Sequence, residues 1–196
     1  MRTIFLGSNN KHKLDEIKDI FKRNNFDVEI KTPNDFNDVS EPIEDGLSFE
    51  DNAYIKAKYY FDKYGIPCIG EDSGICIEYF NNLPGIHSKR FLKPLNDFDK
   101  NEYILKLMSN VKNRNATFNA IICYIDANGV KHFFKGINKG EISFEQKGSE
   151  GFGYDPIFMI PEYNKTEAEL GQEFKNINSH RAKAFNSLIE YLKNEK

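Results

Sequence analysis

The stretch TIFLGSNNKHKLDEIKDIFKR, residues 3–23, decides the fold class. Thr3 to Leu6 is a short apolar run ended by Gly7, the pattern of a buried strand. Leu14, Ile17, Ile20 and Phe21 then recur at helical spacing, which predicts an amphipathic helix over Lys11 to Arg23. Ser8 or Asn9 is placed to cap it. Val28 and Ile30 alternate with charged neighbours and read as a second strand. The chain therefore opens β-loop-α-β.

Further along, Thr32 to Leu47 is acidic, contains prolines and reads as a loop. A helix is expected from Ser48, with Phe49, Ala53, Ala57, Tyr60, Phe61 and Tyr64 on one side. Ser48 followed by Asp51 resembles a capping signal. Ile66 to Ile69 is a short strand, and the alternation of Ile75, Ile77 and Tyr79 gives another. Asn81-Asn-Leu-Pro-Gly85 is a turn. Asp99 to Met108 looks helical. Ala116–Ile125 and Val130–Phe134 flank Asp126-Ala-Asn-Gly129, a hairpin signal. Gly148 to Asp155 is a glycine-rich loop, with a short strand at Pro156 to Ile160. Ser179 to Lys193 closes as a helix capped by Ser179. Early βα alternation with a later hairpin predicts an α/β protein, a mixed β-sheet flanked by helices.

At 196 residues the chain fits one domain, or two lobes sharing a core. The formal net charge of −3 argues against a nucleic-acid backbone as partner, although a few local lysines suffice for a small anion. The 17 Phe and 10 Tyr offer packing surface and flat platforms for a ring-shaped ligand. The three cysteines are odd in number and form no CxxC pair, which excludes a disulfide framework or zinc knuckle and points to a reducing cytoplasm. The first apolar run is too short for a signal peptide, and no stretch approaches the roughly 20 apolar residues of a membrane span.

Four patches can carry chemistry. Ser8-Asn9-Asn10-Lys-His-Lys13 opens a helix after a strand, where outward-pointing N–H groups favour phosphate. Its ordinary alternative is a capped helix with solvated lysines. Neither GxxxxGK[ST] nor GxGxxG is present, so the common nucleotide loops are excluded. Glu41, Glu44 and Asp45 lie in the acidic loop, and Glu71-Asp72 directly follows an apolar run. Adjacent carboxylates repel and are costly to desolvate, and Mg²⁺ would relieve both penalties; an acidic turn is the plain alternative. Gly148 to Pro156 sets three glycines around two aromatics, suiting close approach to something flat or anionic, or simply a tight turn. Lys175 and Ser179-His180-Arg181 sit at the last helix start, where a packed histidine and a surface charge are the plain reading. His12, His87 and His132 have no metal-ligand spacing.

Taken together and in order, these segments resemble the inosine triphosphate pyrophosphatase family (Ham1/RdgB-type). The matching segments are Ser8-x-Asn10-x-x-Lys13, Glu44-Asp-Gly-Leu-Ser-Phe-Glu-Asp-Asn-Ala53 with Lys56, Glu71-Asp-Ser-Gly74, Leu83-Pro-Gly85, Gly151-Phe-Gly-Tyr-Asp-Pro156 and Ser179-His-Arg181. The resemblance implies a single ITPase-like domain over residues 1–196, elongated and two-lobed with a cleft between lobes, and a homodimer. It implies hydrolysis of ITP, dITP and XTP to the monophosphate and pyrophosphate. It also implies roles. Ser8, Asn9, Asn10, Lys13 and Lys56 would grip phosphate. Glu44, Glu71 and Asp72 would bind Mg²⁺, with Asp72 also the catalytic base. Ser73 would touch substrate. Phe152 would stack on the purine beside Gly153, Tyr154 and Asp155, and Lys175, His180 and Arg181 would read the base. Glu71 stands where many bacterial members have Asp. A Maf-like pyrophosphatase acting on modified nucleotides, or a non-hydrolytic purine nucleotide sensor, is the competing reading.

Overall fold

The computed structural model describes residues 2–195. In chain order the elements are β1 (Arg2–Leu6), α1 (Lys11–Arg23), β2 (Val28–Lys31), α2 (Phe49–Tyr64), β3 (Cys68–Ile77), β4 (Leu83–Pro84), α3 (Asp97–Leu107), β5 (Asn115–Ile125), β6 (Lys131–Ile142), β7 (Phe158–Ile160), β8 (Lys165–Thr166), α4 (Glu167–Asn178) and α5 (His180–Asn194). The strand order is β2-β1-β3-β5-β6-β7-β8, with β4 beside β3. β1 runs parallel to β2 and β3, while β4, β7 and β8 pair antiparallel with their neighbours, so the sheet is mixed. No helix among the described residues is long and apolar enough to cross a membrane.

The chain divides into two compact units. The first takes the residues up to Asp72, 120–136 and those from Arg181 onward. In its core Ile17, Ile20 and Phe21 of α1 meet Ile4, Leu6, Ile122 and Tyr124 of the strands and Phe185 and Leu188 of α5. Each such fully buried side chain contributes about 1.5–3 kcal/mol. On α2, Ala53 and Ala57 pack against Ile121, Cys123 and Ile125. Gly70 permits this helix to lie close to β3, because a Cβ there would fall 2.1 Å from the Ala53 carbonyl oxygen. That close approach carries Lys56 to the strand. Burial pushes the Cys123 thiol up to about 12 and raises that of Cys68 as well, so both are packing groups.

The second unit holds residues 73–119 and 137–180. Its core gathers Ile75 and Ile77 of β3, Phe118 of β5, Ile142 of β6 and Phe158 of β7 around Ile104, Met108 and Ile157.

Several expectations are corrected. Ser8 and Asn9 do not cap α1; Asn10 does, its Oδ1 accepting from the Lys13 N–H at 3.2 Å. The two short strands expected around Glu71-Asp72 are one strand, β3, so this pair lies mid-strand and not in a turn. β6 continues to Ile142, well past Phe134. α3 begins at Asp97, capped by Asn96. Asp155–Ile157 is a 3-10 turn, and only Phe158–Ile160 is strand. Helix α4 has no counterpart in the sequence reading; its signal was the reciprocal cap between Thr166 and Glu169. Ser48 caps α2 as expected, accepting from Asp51 N–H at 3.0 Å.

The loop after β2 is tied to α2. Asp38 accepts from Lys63 Nζ at 2.7 Å, Tyr64 Oη at 2.6 Å and Ser40 Oγ at 2.6 Å, and Tyr60 Oη donates to the Ser40 carbonyl. The Lys63 ammonium, then the Ser40 and Tyr64 hydroxyls, hold the Asp38 carboxyl well below the usual carboxylate range. A depressed folded-state value contributes stability above the unfolded value of about 4, and that contribution fades as pH falls through the folded one. Asp38→Asn is therefore expected to lower urea stability at neutral pH, with the gap to wild type narrowing below about pH 4. A gap independent of pH would mean that the carboxylate charge is not its source.

Candidate functional site

Two adjacent carboxylates in the middle of a buried strand need counter-ions, and three elements of the first unit deliver them. From the first turn of α1, Lys13 Nζ reaches Glu71 Oε2 at 2.7 Å. From the first turn of α5, the Arg181 guanidinium donates to Glu71 Oε1 at 3.1 Å and, through its other terminal nitrogen, to Glu16 of α1. From α2, Lys56 Nζ contacts Asp72 Oδ1 at 3.0 Å, Glu44 Oε2 at 2.9 Å and the Glu71 main-chain oxygen at 3.1 Å. Glu16, Lys56, Glu71, Asp72 and Arg181 are all at most 9% exposed. Three cations thus face four carboxylates.

Burial alone would raise the Glu71 carboxyl. Arg181 and Lys13 outweigh it and hold Glu71 well below its ordinary value. Burial would likewise lower Arg181, but Glu71 and then Glu16 raise it above its usual range. For Lys56 the opposing carboxylates Asp72 and Glu44 overcome desolvation and raise it. For Lys13 desolvation prevails over Glu71, helped by the nearby charges of Arg181 and Lys56, and its value is lowered.

Around this network lies the expected phosphate grip. Ser8 Oγ accepts from the Asn10 N–H at 3.2 Å, shaping the loop before α1. Asn9 Oδ1 is buried and has no hydrogen-bond partner among the described residues. Asn10 and Lys13 are neighbours through the cap. Sequence reasoning gave no role to Glu16 or Asn52, yet Glu16 secures Arg181, and Asn52 Nδ2 donates to Asp72 Oδ2 at 3.2 Å. Glu16 sits one turn after Lys13 on α1, a spacing that puts the two side chains on one helix face.

The second unit builds the aromatic loop. Asp155 Oδ2 accepts from the Phe152 N–H at 2.8 Å and from Lys175 Nζ at 2.7 Å. The Lys175 ammonium also lies 4.9 Å from the centre of the Phe152 ring. Gly151 is required there, since its φ is +80° and a Cβ would lie 2.1 Å from Asp155 Oδ2. Gly153 donates to Asp97 at 3.1 Å and accepts from Asn101 Nδ2 at 2.9 Å. Tyr154 is buried, its hydroxyl donating to the Ser88 carbonyl at 2.8 Å. Lys175 belongs to the part of α4 that follows a break at Gly171, where φ is +81° and ψ 175°. Glu150 accepts the first amide after that break, Gln172 N–H, at 2.8 Å. His180 stacks on Phe118, ring centres 4.7 Å apart. Ser73 follows Asp72 on β3 and is half-buried. Phe152, Asp155 and Lys175 therefore form one group, whereas Tyr154 and His180 are packed and both terminal nitrogens of Arg181 serve carboxylates of the first unit.

Among the described residues, no three or more His, Cys, Asp or Glu side chains form a ready metal cage. Magnesium asks for less, usually one or two carboxylates with the balance from water and phosphate. The Glu44 and Asp72 carboxylates and the Glu71 main-chain oxygen already converge within 2.9–3.1 Å of one cation, the Lys56 ammonium. This hard-oxygen set fits Mg²⁺. The Glu71 carboxylate is committed to Lys13 and Arg181.

A mixed α/β sheet thus carries a helix start suited to phosphate beside a buried carboxylate–lysine–arginine network. The chain belongs to the Ham1 family, whose pattern it matches over residues 4–191. It is 38% identical over 193 residues to a dITP/XTP pyrophosphatase of Flavobacterium johnsoniae, covering 98% of both chains. It is 37% identical over 202 residues to a dITP/XTP pyrophosphatase of Aquifex aeolicus, covering 97% of this chain and 96% of the other. The structure of a HAM1 protein from Coxiella burnetii superposes over 100% of both chains with a TM-score of 0.90 at 32% identity.

Removing one partner of a buried ion pair leaves an uncompensated charge, at about 3–5 kcal/mol. Because Arg181 keeps Glu71 when Glu16 is lost, Glu16→Ala is expected to lower unfolding free energy by less than that, about 1–3 kcal/mol in urea denaturation. A loss below about 1 kcal/mol, the scale of an exposed pair, would mean that the Arg181 bridge is solvated.

Proposed function

We propose that this chain is a Mg²⁺-dependent nucleoside triphosphate pyrophosphatase that cuts ITP, dITP and XTP to the monophosphate and pyrophosphate, removing non-canonical purines from the nucleotide pool. The observation that carries the reading is Asp72, a carboxylate fixed by Lys56 and Asn52 next to Glu71 in a buried strand. The names of the relatives support the substrate class. The resemblance extends the reading to a homodimer in the cytoplasm.

The loop before α1, with Asn10 and Lys13, and Lys56 of α2 take the phosphates. Both lysines are already held against carboxylates, so phosphate oxygens can replace those partners without moving the ammoniums into an unpaired state. Asp72 accepts the proton of a water whose oxygen bonds to the α-phosphorus. The α–β anhydride bond breaks, and pyrophosphate leaves with the bonding electron pair. Positioning and charge neutralisation supply most of the barrier reduction in such transfers. Glu44 and Asp72, with the Glu71 main-chain oxygen, would hold Mg²⁺, which neutralises phosphate charge when bound.

For the base, Phe152 offers a ring and Lys175 an ammonium beside it, already oriented by Asp155. Hypoxanthine and xanthine present a 6-oxo acceptor where adenine presents an amino group. Each unmatched buried polar group costs about 1–3 kcal/mol, or about 5- to 150-fold discrimination. Because Arg181 is bound to Glu16 and Glu71, its part is to neutralise Glu71, and base reading rests on Lys175 and Phe152.

A panel of nucleoside triphosphates with Mg²⁺ is expected to give pyrophosphate from ITP and XTP much faster than from ATP. Orthophosphate as the sole product would overturn the cleavage site; ITP bound but uncut would favour a sensor. Asp72→Asn is expected to reduce kcat by about 10²- to 10⁴-fold while ITP binding, measured by calorimetry, persists. Near-normal turnover would remove Asp72 from the role of base.

A further inference from the structure

Asn52 is completely buried, yet carries a polar side chain that packing alone does not require. Its amide is used at both ends. Nδ2 donates to Asp72 Oδ2 at 3.2 Å, and Oδ1 accepts from the Gly46 N–H at 2.9 Å. One turn further along α2, Lys56 donates to the other oxygen, Asp72 Oδ1, at 3.0 Å. Residues four apart share a helix face, so a single face of α2 grips both oxygens of one carboxylate and thereby sets its plane. Gly46 is pressed against this grip, since a Cβ there would lie 2.7 Å from Asn52 Oδ1 and 2.6 Å from Asp51 Cβ. Asp51 accepts from the neighbouring Leu47 N–H at 3.2 Å. The loop that carries Glu44 is thus stitched to the same helix turn that holds Asp72.

We propose that Asn52 is the positioning residue of the reaction: its amide fixes the direction of the Asp72 carboxylate and locks the Glu44 loop to it. The inference rests on the pyrophosphatase reading above. Only a side chain with a donor at one end and an acceptor at the other serves both contacts. Aspartate would keep the acceptor for Gly46 and present an oxygen, in place of a donor, to Asp72. Serine is too short to span the two.

The test is pyrophosphate release from ITP by wild type, Asn52→Asp and Asn52→Ser, with kcat expressed per folded molecule from circular dichroism. ITP affinity is measured in parallel by calorimetry without added metal. Misplacement of a reacting group by about 1 Å costs on the order of 10²-fold. Both variants are expected to lose about 10- to 100-fold in kcat while KM and metal-free ITP affinity stay within about threefold. If Asn52→Asp does not fold, Asn52→Ser carries the same expectation. A kcat per folded molecule within twofold of wild type overturns the inference and leaves the pyrophosphatase reading standing, because the side chain is then merely structural. Losses of ITP affinity matching the loss of kcat overturn it as well, by making Asn52 a binding group. Wild type that releases no pyrophosphate from ITP overturns both.

Discussion

The guanidinium of Arg181 binds Glu16 on one side and Glu71 on the other, and the buried acidic strand depends on that bridge. Moving an ion out of water costs several kcal/mol even after relaxation. Glu71 and Asp72 would incur that cost twice within β3, with mutual repulsion added. Arg181, Lys13 and Lys56 offset it, and they come from three helices whose apolar faces pack on the strands of the first unit. The packing of α1, α2 and α5 is therefore also the means by which charge is delivered to the strand. Loosening any of these helices would withdraw a cation from the carboxylates.

The parts of the fold legible in the sequence are those whose periodicity is decided locally. Leu14, Ile17, Ile20 and Phe21 mark α1 because one face is apolar and the other charged, and Ser48 announces α2 by its cap. The continuity of β3 was not legible. Gly-Glu-Asp-Ser-Gly reads as a break in any hydropathy pattern, and the cations that make it a strand lie far away in sequence, at positions 13, 56 and 181. Helix α4 was hidden by its many polar residues and by the break at Gly171.

The site divides in the same way. Motif order brought out Lys13, Lys56, Glu71 and Asp72, and the structure joins all four in one network. Phe152, Asp155 and Lys175 are likewise joined, although nothing in their spacing says that Asp155 is the link. Arg181 and His180 adjoin in sequence but have different surroundings. Both are polar residues at a helix start, but one is engaged by carboxylates and the other lies flat on Phe118. Glu16 and Asn52 were invisible because each acts on another side chain, and single-sequence patterns register ligands more readily than their supports. On the proposed reading this is also an economy of charge: lysines paired with carboxylates at rest are already oriented for phosphate.

The break in α4 makes two side-chain positions depend on each other. The backbone at Gly171 lies where a side chain is strained, and a Cβ there would approach Glu150 Oε2 to 2.9 Å. Glu150 in turn accepts the Gln172 amide that the break exposes. An ordinary residue at 171 would crowd the carboxylate, and a small one at 150 would leave the amide to water. The half-helix that carries Lys175 thus starts from a backbone amide held by a side chain of the neighbouring loop.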